Sequence, residues 1–251
     1  MPKLDGKVAI VTGGAKGIGR HYSQALAAAG ARVMIADGKE LAAEIAGKHG
    51  ANSVANIKFD VSDEKQIKNL VAQTIERFGQ IDILVNNAAL YSTLSPRNFD
   101  EWDAELWDKV MAINVRGPWL MVRHVAPHMI ARKSGKIINI ASGAAYKGVP
   151  RMLPYVTSKG AMIAFTRSLS RELGQYGIAV NSLSPGYILS DTGLENSTHV
   201  EEERLPVRNS RAFKRDAYPE DLLGTLVFLA SSDSDFVTGQ SIVVDGGSVN
   251  N

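Results

Sequence analysis

Tyr155 and Lys159 stand four residues apart in a helix-compatible stretch, Tyr155-Val156-Thr157-Ser158-Lys159, and Ser142, thirteen residues before the tyrosine, closes an apolar strand-like run. Residues at i and i+4 share one helix face, so a phenol and an ammonium can address the same cavity. A free tyrosine titrates near pH ~10, and bringing it down by about three units takes about 4 kcal/mol of preferential stabilisation of the phenolate. A neighbouring ammonium acts in that direction. A serine hydroxyl can donate to a carbonyl or alkoxide oxygen whose proton the phenol gives or takes. Taken alone, the same spacing also describes a half-buried tyrosine beside a solvated lysine, so the rest of the chain has to decide.

The N-terminal run Val8-Ala9-Ile10-Val11 ends in Thr12-Gly13-Gly14-Ala15-Lys16-Gly17-Ile18-Gly19. This is a strand feeding a glycine-rich turn, followed by a helical stretch from His21 to Ala29 with Gly30 as its stop signal. Glycines let the backbone approach a pyrophosphate, and a helix N-terminus offers unpaired N–H groups and a positive dipole end. The next apolar run, Arg32 to Ala36, finishes at Asp37, where an acid can bond an adenosine ribose.

These motifs resemble those of the short-chain dehydrogenase/reductase family, in the subgroup of this length with a T-G-x-x-x-G-x-G element, and the resemblance spans nearly the whole chain. Asn86-Asn87-Ala88-Ala89 is similar to the family's N-N-A-G element, with Ala89 in place of the usual glycine. Asp60-Val61 resembles the pair that meets the adenine ring, and Pro185-Gly186 with Ile188 resembles the stretch over the nicotinamide. Ser190 keeps the hydroxyl of a threonine common just after that stretch. Asn114 stands where the family has a helix asparagine whose backbone carbonyl holds a water in a proton relay from the lysine. The resemblance implies that Ser142 steadies the substrate oxygen and Tyr155 moves the proton, while Lys159 holds the nicotinamide ribose and lowers the phenol pKa. It also implies a homotetramer.

Apolar runs near Val8, Val33, Ile57, Ile83, Ile138, Val180 and Ile242 alternate with helical patterns starting at His21, Lys39, Glu64, Leu106, Leu153 and Glu220. That alternation predicts an α/β fold: a doubly wound, seven-stranded parallel sheet of Rossmann type with helices on both faces. Every motif falls at the carboxyl end of a strand, where open sheets of this kind bind ligands. No linker, repeat or low-complexity tract interrupts residues 1–251, so one domain suffices. Cysteine is absent, which excludes disulfides, thiol catalysis and cysteine-based zinc sites, and the formal charge of +2 gives no reason to expect nucleic acid. With no apolar leader and no membrane-length run, the simplest inference is a soluble cytoplasmic protein with a small-molecule substrate and no membrane partner.

The stretch from Tyr187 to Tyr218 is too long and polar for a tight connection and reads as a substrate lid. It carries Glu201-Glu202-Glu203 and then Arg204, Arg208, Arg211, Lys214 and Arg215. Either this is a solvated helix of mixed charge, or Arg208 and Arg211, with Arg151 near Tyr155, meet an anionic substrate group bidentately. Tyr91, Tyr146 and Tyr187 follow three of the motifs and either line the substrate cavity, suiting a sugar-like or aromatic substrate, or cover the core. His124 and His128 lack a third metal ligand nearby and read as helix surface, and Trp102, Trp107 and Trp119 as packing. Asp37 would bond the ribose of NAD and repel the 2′-phosphate of NADP, which Lys16 would attract; the closer carboxylate favours NAD. The expected reaction is hydride transfer between nicotinamide and a secondary alcohol or carbonyl. Two rivals are a 3-oxoacyl-thioester reductase using NADPH and an acyl carrier protein, against which Asp37 weighs, and a non-catalytic dinucleotide sensor or scaffold.

Overall fold

The computed structural model describes residues 3–37, 44, 53–190 and 200–249. Its centre is a sheet of seven strands, all parallel, in the order β3-β2-β1-β4-β5-β6-β7. The strands are β1 (Val8–Thr12), β2 (Arg32–Ala36), β3 (Val54–Ile57), β4 (Ile83–Asn86), β5 (Gly135–Ile140), β6 (Ile178–Pro185) and β7 (Ser241–Val244). Parallel neighbours cannot be joined by hairpins, so each link crosses over a face, and the covered central strands read as continuous apolar runs. Strands β1, β4 and β6 are buried at every residue.

Side chains alternate between the faces with period two. Ala9 and Val11 join Tyr22 and Leu26 of α1 (Gly17–Ala28) and the leucines of Glu220–Ala230 in one core. Val8 and Ile10 join α2 (Glu64–Phe78), α4 (Gly117–Arg132) and the C-terminal end of α6 (Leu153–Leu173) in the other. Helix α2 is capped by Asp63, which accepts from the Lys65 and Gln66 amides, and stopped by Gly79 in the left-handed conformation. The helix expected to start at Lys39 lies outside the described residues.

Two elements differ from the sequence reading. The helix expected from Leu106 is broken into α3 (Ala104–Met111), a π-helical turn (Ala112–Arg116) and α4. Gly117 donates to Ala112, five residues back, and Pro118 has no N–H, so the carbonyl of Asn114 lacks its ordinary helical donor. A short helix, α5 (Ala144–Lys147), follows Ser142 where no helix was expected.

Because β1 pairs with β2 on one side and β4 on the other, the chain changes winding direction between β1 and β4. The residues just beyond β1, β4, β5 and β6 therefore meet along one edge. A buried polar ladder ties that edge to α6. The Asn86 amide donates to Asn139 Oδ1 at 2.9 Å, the Asn139 amide to Thr166 Oγ1 at 2.9 Å, and the Thr166 hydroxyl to the Met162 carbonyl at 2.8 Å. Asn139 is fully buried, so replacing it by Ala would strand the Asn86 amide, whose Oδ1 is already unpaired among the described residues, and leave Thr166 with only its bond to Met162. The Asn139→Ala variant is expected to lose about 2 kcal/mol of unfolding free energy in urea denaturation, the range for orphaned buried polar groups; an unchanged midpoint would contradict the ladder's role.

Candidate active site

The glycine loop is shaped by the chain's own atoms. Gly13 has φ +62°, and a Cβ there would lie 2.9 Å from the Ala88 Cα; a Cβ on Gly19 would lie 2.0 Å from the Gly13 carbonyl oxygen. Only glycine permits that approach. The Thr12 hydroxyl accepts from the Asn87 and Ala88 amides at 3.0 and 3.1 Å, while the Asn87 side chain donates to the Thr12 and Gly13 carbonyls at 2.9 and 3.0 Å. Helix α1 then starts at Gly17, four residues earlier than the sequence pattern suggested, with no side-chain cap and no acid in its first turn. Its leading N–H groups and dipole suit an anion. Asp37 Oδ2 accepts from the Ala15 amide at 2.9 Å, which locks the carboxylate beside the loop. Lys16 is exposed, Ile18 half-buried, Asp60 exposed with its carboxylate bonded to Ser62, and Val61 buried. A nicotinamide dinucleotide fits this donor set: an anion-compatible helix start, an acid held at the end of β2, and two glycines where a Cβ would collide with backbone.

Across the switch point lies the second cluster. Tyr155 sits in the first turn of α6 and Lys159 one turn later; Lys159 is 4 % exposed, and its Nζ donates to the Ile140 carbonyl at 2.7 Å. The ammonium lies 5.7 Å from the Tyr155 ring centroid. Ser142, also buried, accepts from the Ala144 amide at 3.2 Å and lies close enough to the phenol to favour its ionised form. Tyr91 stacks on Tyr155 with ring centroids 4.7 Å apart and planes tilted by 42°. The Asn114 amide donates to Ser158 Oγ at 3.0 Å and to the Leu90 carbonyl at 3.2 Å, and its Oδ1 accepts from the Leu90 amide at 2.7 Å. Ser158 in turn donates to the Tyr155 carbonyl at 2.7 Å. The Asn114 side chain is thus consumed in docking the β4 exit loop onto α6, which leaves its backbone carbonyl as the group with chemistry to offer.

The electrostatics depart from the sequence expectation. Burial pushes the Tyr155 phenol up to about 12, with the Ser142 hydroxyl pulling the other way, and burial pushes Lys159 down to about 8. Desolvation penalises both charged forms, so the lysine does not lower the phenol in this state.

The lid arginines also depart from it. Arg211 is 3 % exposed and donates to the Tyr187 and Arg215 carbonyls at 2.6 and 2.8 Å. Arg215 makes a bidentate pair with Asp221, both bonds 2.7 Å, and holds that carboxyl down to about 2. Arg204 pairs with Asp216, toward which Arg208 also directs its charge. Arg151 is exposed, has φ +65°, and reaches the Pro96 carbonyl at 3.4 Å. The segment's positive charge is mostly satisfied within the protein. Tyr146 and Tyr187 are half-buried, Ile188 bridges to Ala217, and Pro185 and Ser190 are buried. His124 bonds Glu64 at 2.8 Å, and no cluster of potential metal ligands occurs among the described residues. Thr12 enters the sequence reading only as the first residue of the glycine motif, and Ser158 only as a residue between Tyr155 and Lys159. Their hydroxyls matter through partners 75 and 44 positions away, which no local pattern announces.

A family model described as enoyl-(acyl carrier protein) reductase matches residues 13–249. The chain is 39 % identical to a galactitol 2-dehydrogenase of Agrobacterium fabrum over 254 residues, covering 98 % of each chain. The chain belongs to the short-chain dehydrogenase/reductase family. It is equally 39 % identical to a sorbitol dehydrogenase of Cereibacter sphaeroides, again over 98 % of both chains. Among solved structures it is similar to a putative gluconate dehydrogenase from Agrobacterium tumefaciens, with TM-score 0.88 and 34 % identity over 98 % of this chain and 97 % of that one. Members of the family are oxidoreductases that bind a nicotinamide cofactor. No helix among the described residues is long and apolar enough to cross a membrane.

The raised phenol has a spectroscopic consequence. A group whose folded pKa lies above its unfolded value stays protonated as pH passes the unfolded value and ionises only near the folded one. In the cofactor-free protein, the phenolate absorbance of wild type minus Tyr155→Phe is therefore expected to stay flat through pH ~10 and rise only toward about 12. A phenolate titrating near neutrality would contradict the assignment.

Proposed function

We propose that the protein is an NAD-dependent dehydrogenase of polyhydroxylated secondary alcohols, interconverting a CH–OH group and its carbonyl. The observation that carries this reading is the meeting of Ser142 and Tyr155 at the carboxyl edge of the sheet, with Lys159 buried one turn behind and bonded to the Ile140 carbonyl. Two neighbouring hydroxyls can each turn to a single substrate oxygen placed between them. Ser142 then donates to that oxygen, and Tyr155 takes its proton as the alcohol becomes a carbonyl, or returns it in reduction. When bound, the dinucleotide supplies the nicotinamide carbon that accepts or gives the hydride. Lys159 holds the nicotinamide ribose and, where its ammonium charge is present below about pH 8, opposes the desolvation that keeps the phenol neutral. Asn114 supports the onward proton path through a carbonyl that Pro118 leaves without a helical donor.

The carbon skeleton of the substrate is inferred from two sides. Tyr91, half-exposed and stacked on Tyr155, offers a ring and a hydroxyl at the mouth of the site, and half-buried Tyr146 and Tyr187 are proposed to line it further. The two relatives are named for galactitol and sorbitol, which are open-chain polyols. The loop arginines, engaged with the protein's own carboxylates and carbonyls, give less support to an anionic substrate.

NAD is favoured over NADP by Asp37. Two like charges about 4 Å apart repel by about 4 kcal/mol at an effective dielectric of 20, and solvent reduces this. Lys16 is exposed and screened, whereas Asp37 is anchored by the Ala15 amide. That carboxylate also argues against a carrier-protein reductase drawing on NADPH. We further propose a single domain with a lid over 187–218, of which 191–199 lie outside the described residues, and assembly as a homotetramer, which light scattering would check.

Following NADH absorbance over a panel of alditols, aldonates and aryl carbinols tests the reading directly. Turnover of at least one alditol is expected, with kcat/KM for NAD about tenfold or more above that for NADP, about 1.4 kcal/mol. An NADP preference would reverse the cofactor assignment. Tyr155→Phe is expected to lower kcat by about 100-fold or more, a usual scale for a lost acid–base group, while NADH binding stays intact. Binding of NADH without turnover of any alcohol would favour a non-catalytic binder instead.

A further inference from the structure

Arg211 follows directly on the helix Val200–Ser210, α7 here, yet its side chain is buried. No carboxylate lies within ion-pair distance of it among the described residues. Its two terminal nitrogens instead serve the carbonyls of Tyr187, on the turn leaving β6, and Arg215, beyond the helix. Asp216 and Asp221 feel its charge at longer range, but a buried guanidinium bonded only to neutral acceptors, with its Nε unpaired among the described residues, is an expensive way to fill space, since an apolar side chain of similar volume would avoid the desolvation cost. Its geometry accounts for its presence: a planar fork can bind two carbonyls at once from fixed directions.

The surroundings form a knot of three chain segments. A Cβ on Gly186 would lie 2.6 Å from the Asp245 Cβ and 3.8 Å from Arg211 Nη2, so the Pro185–Tyr187 turn is gripped from both sides. Asp245, beyond β7, is itself set by the Gly247 and Ser248 amides, each 3.0 Å from Oδ1. The Phe213 amide donates to the Gly246 carbonyl at 2.9 Å and the Ala212 amide to that of Gly247 at 3.3 Å, clipping the chain after α7 to the same turn. At the surface Lys147, ending the helix that follows Ser142, bonds Ser210 at 3.2 Å and also contacts Ser248.

We propose that Arg211 is a positioning residue: by bonding the Tyr187 carbonyl it makes the turn beside the nicotinamide site and the segment 200–216 one unit, so that the covering segment is registered over the substrate. This rests on the reading of 187–218 as a substrate lid, and it gives Arg211 a role through the backbone in place of contact with a substrate anion. In the full-length protein, Arg211→Gln is expected to raise KM for the best alditol by about tenfold or more while kcat and the NADH dissociation constant change by less than about threefold. Arg211→Lys keeps the charge but not the fork and should fall between, with KM up by about three- to tenfold. Trypsin offers a readout that needs no substrate, because Arg204, Arg208, Lys214 and Arg215 are cleavage points that Arg211→Gln leaves in place, and cleavage is compared at these four. Cleavage within 204–215 is expected to quicken in Arg211→Gln with NADH binding retained.

Wild-type KM and wild-type cleavage in the Gln variant would overturn the proposal, as would a parallel loss of kcat, KM and NADH binding in both variants, which marks general damage. Should the Gln variant not fold, the Lys variant decides by the same measures: a raised KM at intact kcat supports the role, and a wild-type KM overturns it. If the wild type oxidises no alcohol, the proposed function fails, while the proteolysis and NADH arms still judge Arg211: faster cleavage supports it and unchanged cleavage overturns it.

Discussion

An ammonium removed from water must find acceptors inside the protein, and Lys159 finds the Ile140 carbonyl at the last residue of β5. That bond orients the charge toward the ring of Tyr155 and fixes the first two turns of α6 against the strand that delivers Ser142. The cost is visible in both titrations, with the lysine driven toward neutrality and the phenol away from ionisation. The site thus stores its reactivity as unfavourable desolvation, and a ligand that brings new charge or new acceptors can shift both groups. Such sensitivity suits a centre that must take and return a proton at one oxygen.

The sheet makes the arrangement possible. Seven parallel strands send every carboxyl end to the same edge, and the reversal between β1 and β4 opens the glycine loop on one side and the Ser142–Tyr155 cluster on the other. The ladder from Asn86 through Asn139 to Thr166 joins β4, β5 and α6 in a core where unpaired amides would be costly. Asn114 and Ser158 do the same for the β4 exit loop. These buried polar contacts do not react, yet they hold the groups proposed to react beside one another. The π-helical turn follows the same logic: a locally poorer hydrogen-bond pattern is kept where a carbonyl with spare capacity is useful.

Among the described residues, the segment proposed to cover the substrate is held differently, by the buried guanidinium of Arg211 and by ion pairs with nearby acids. Arg204 with Asp216 and Arg215 with Asp221 satisfy charges that in the sequence looked available for an anionic ligand. A row of arginines states how much positive charge a segment has but not where its counter-charges lie. Here the acids follow within the next dozen residues, and the fold brings them back.

The sequence alone determined what is local. Continuous apolar runs marked the strands, the glycines between β1 and α1 marked a close backbone approach, Asp37 ended β2, and the i, i+4 spacing put Tyr155 and Lys159 on one helix face, because period and spacing are properties of neighbouring residues. Even the break at Asn114 had a local cause in Pro118, though a proline near a helix start is ambiguous until the register of the turn is known. Only the tertiary structure decided what depends on distant partners and on burial: that Asn114 meets Ser158, that Arg211 spends its guanidinium on two carbonyls, and that the phenol of Tyr155 is raised and not lowered. A pKa follows the dielectric and charges around a group, and a hydrogen bond follows who arrives beside it; both are settled when strands far apart in sequence come to lie side by side.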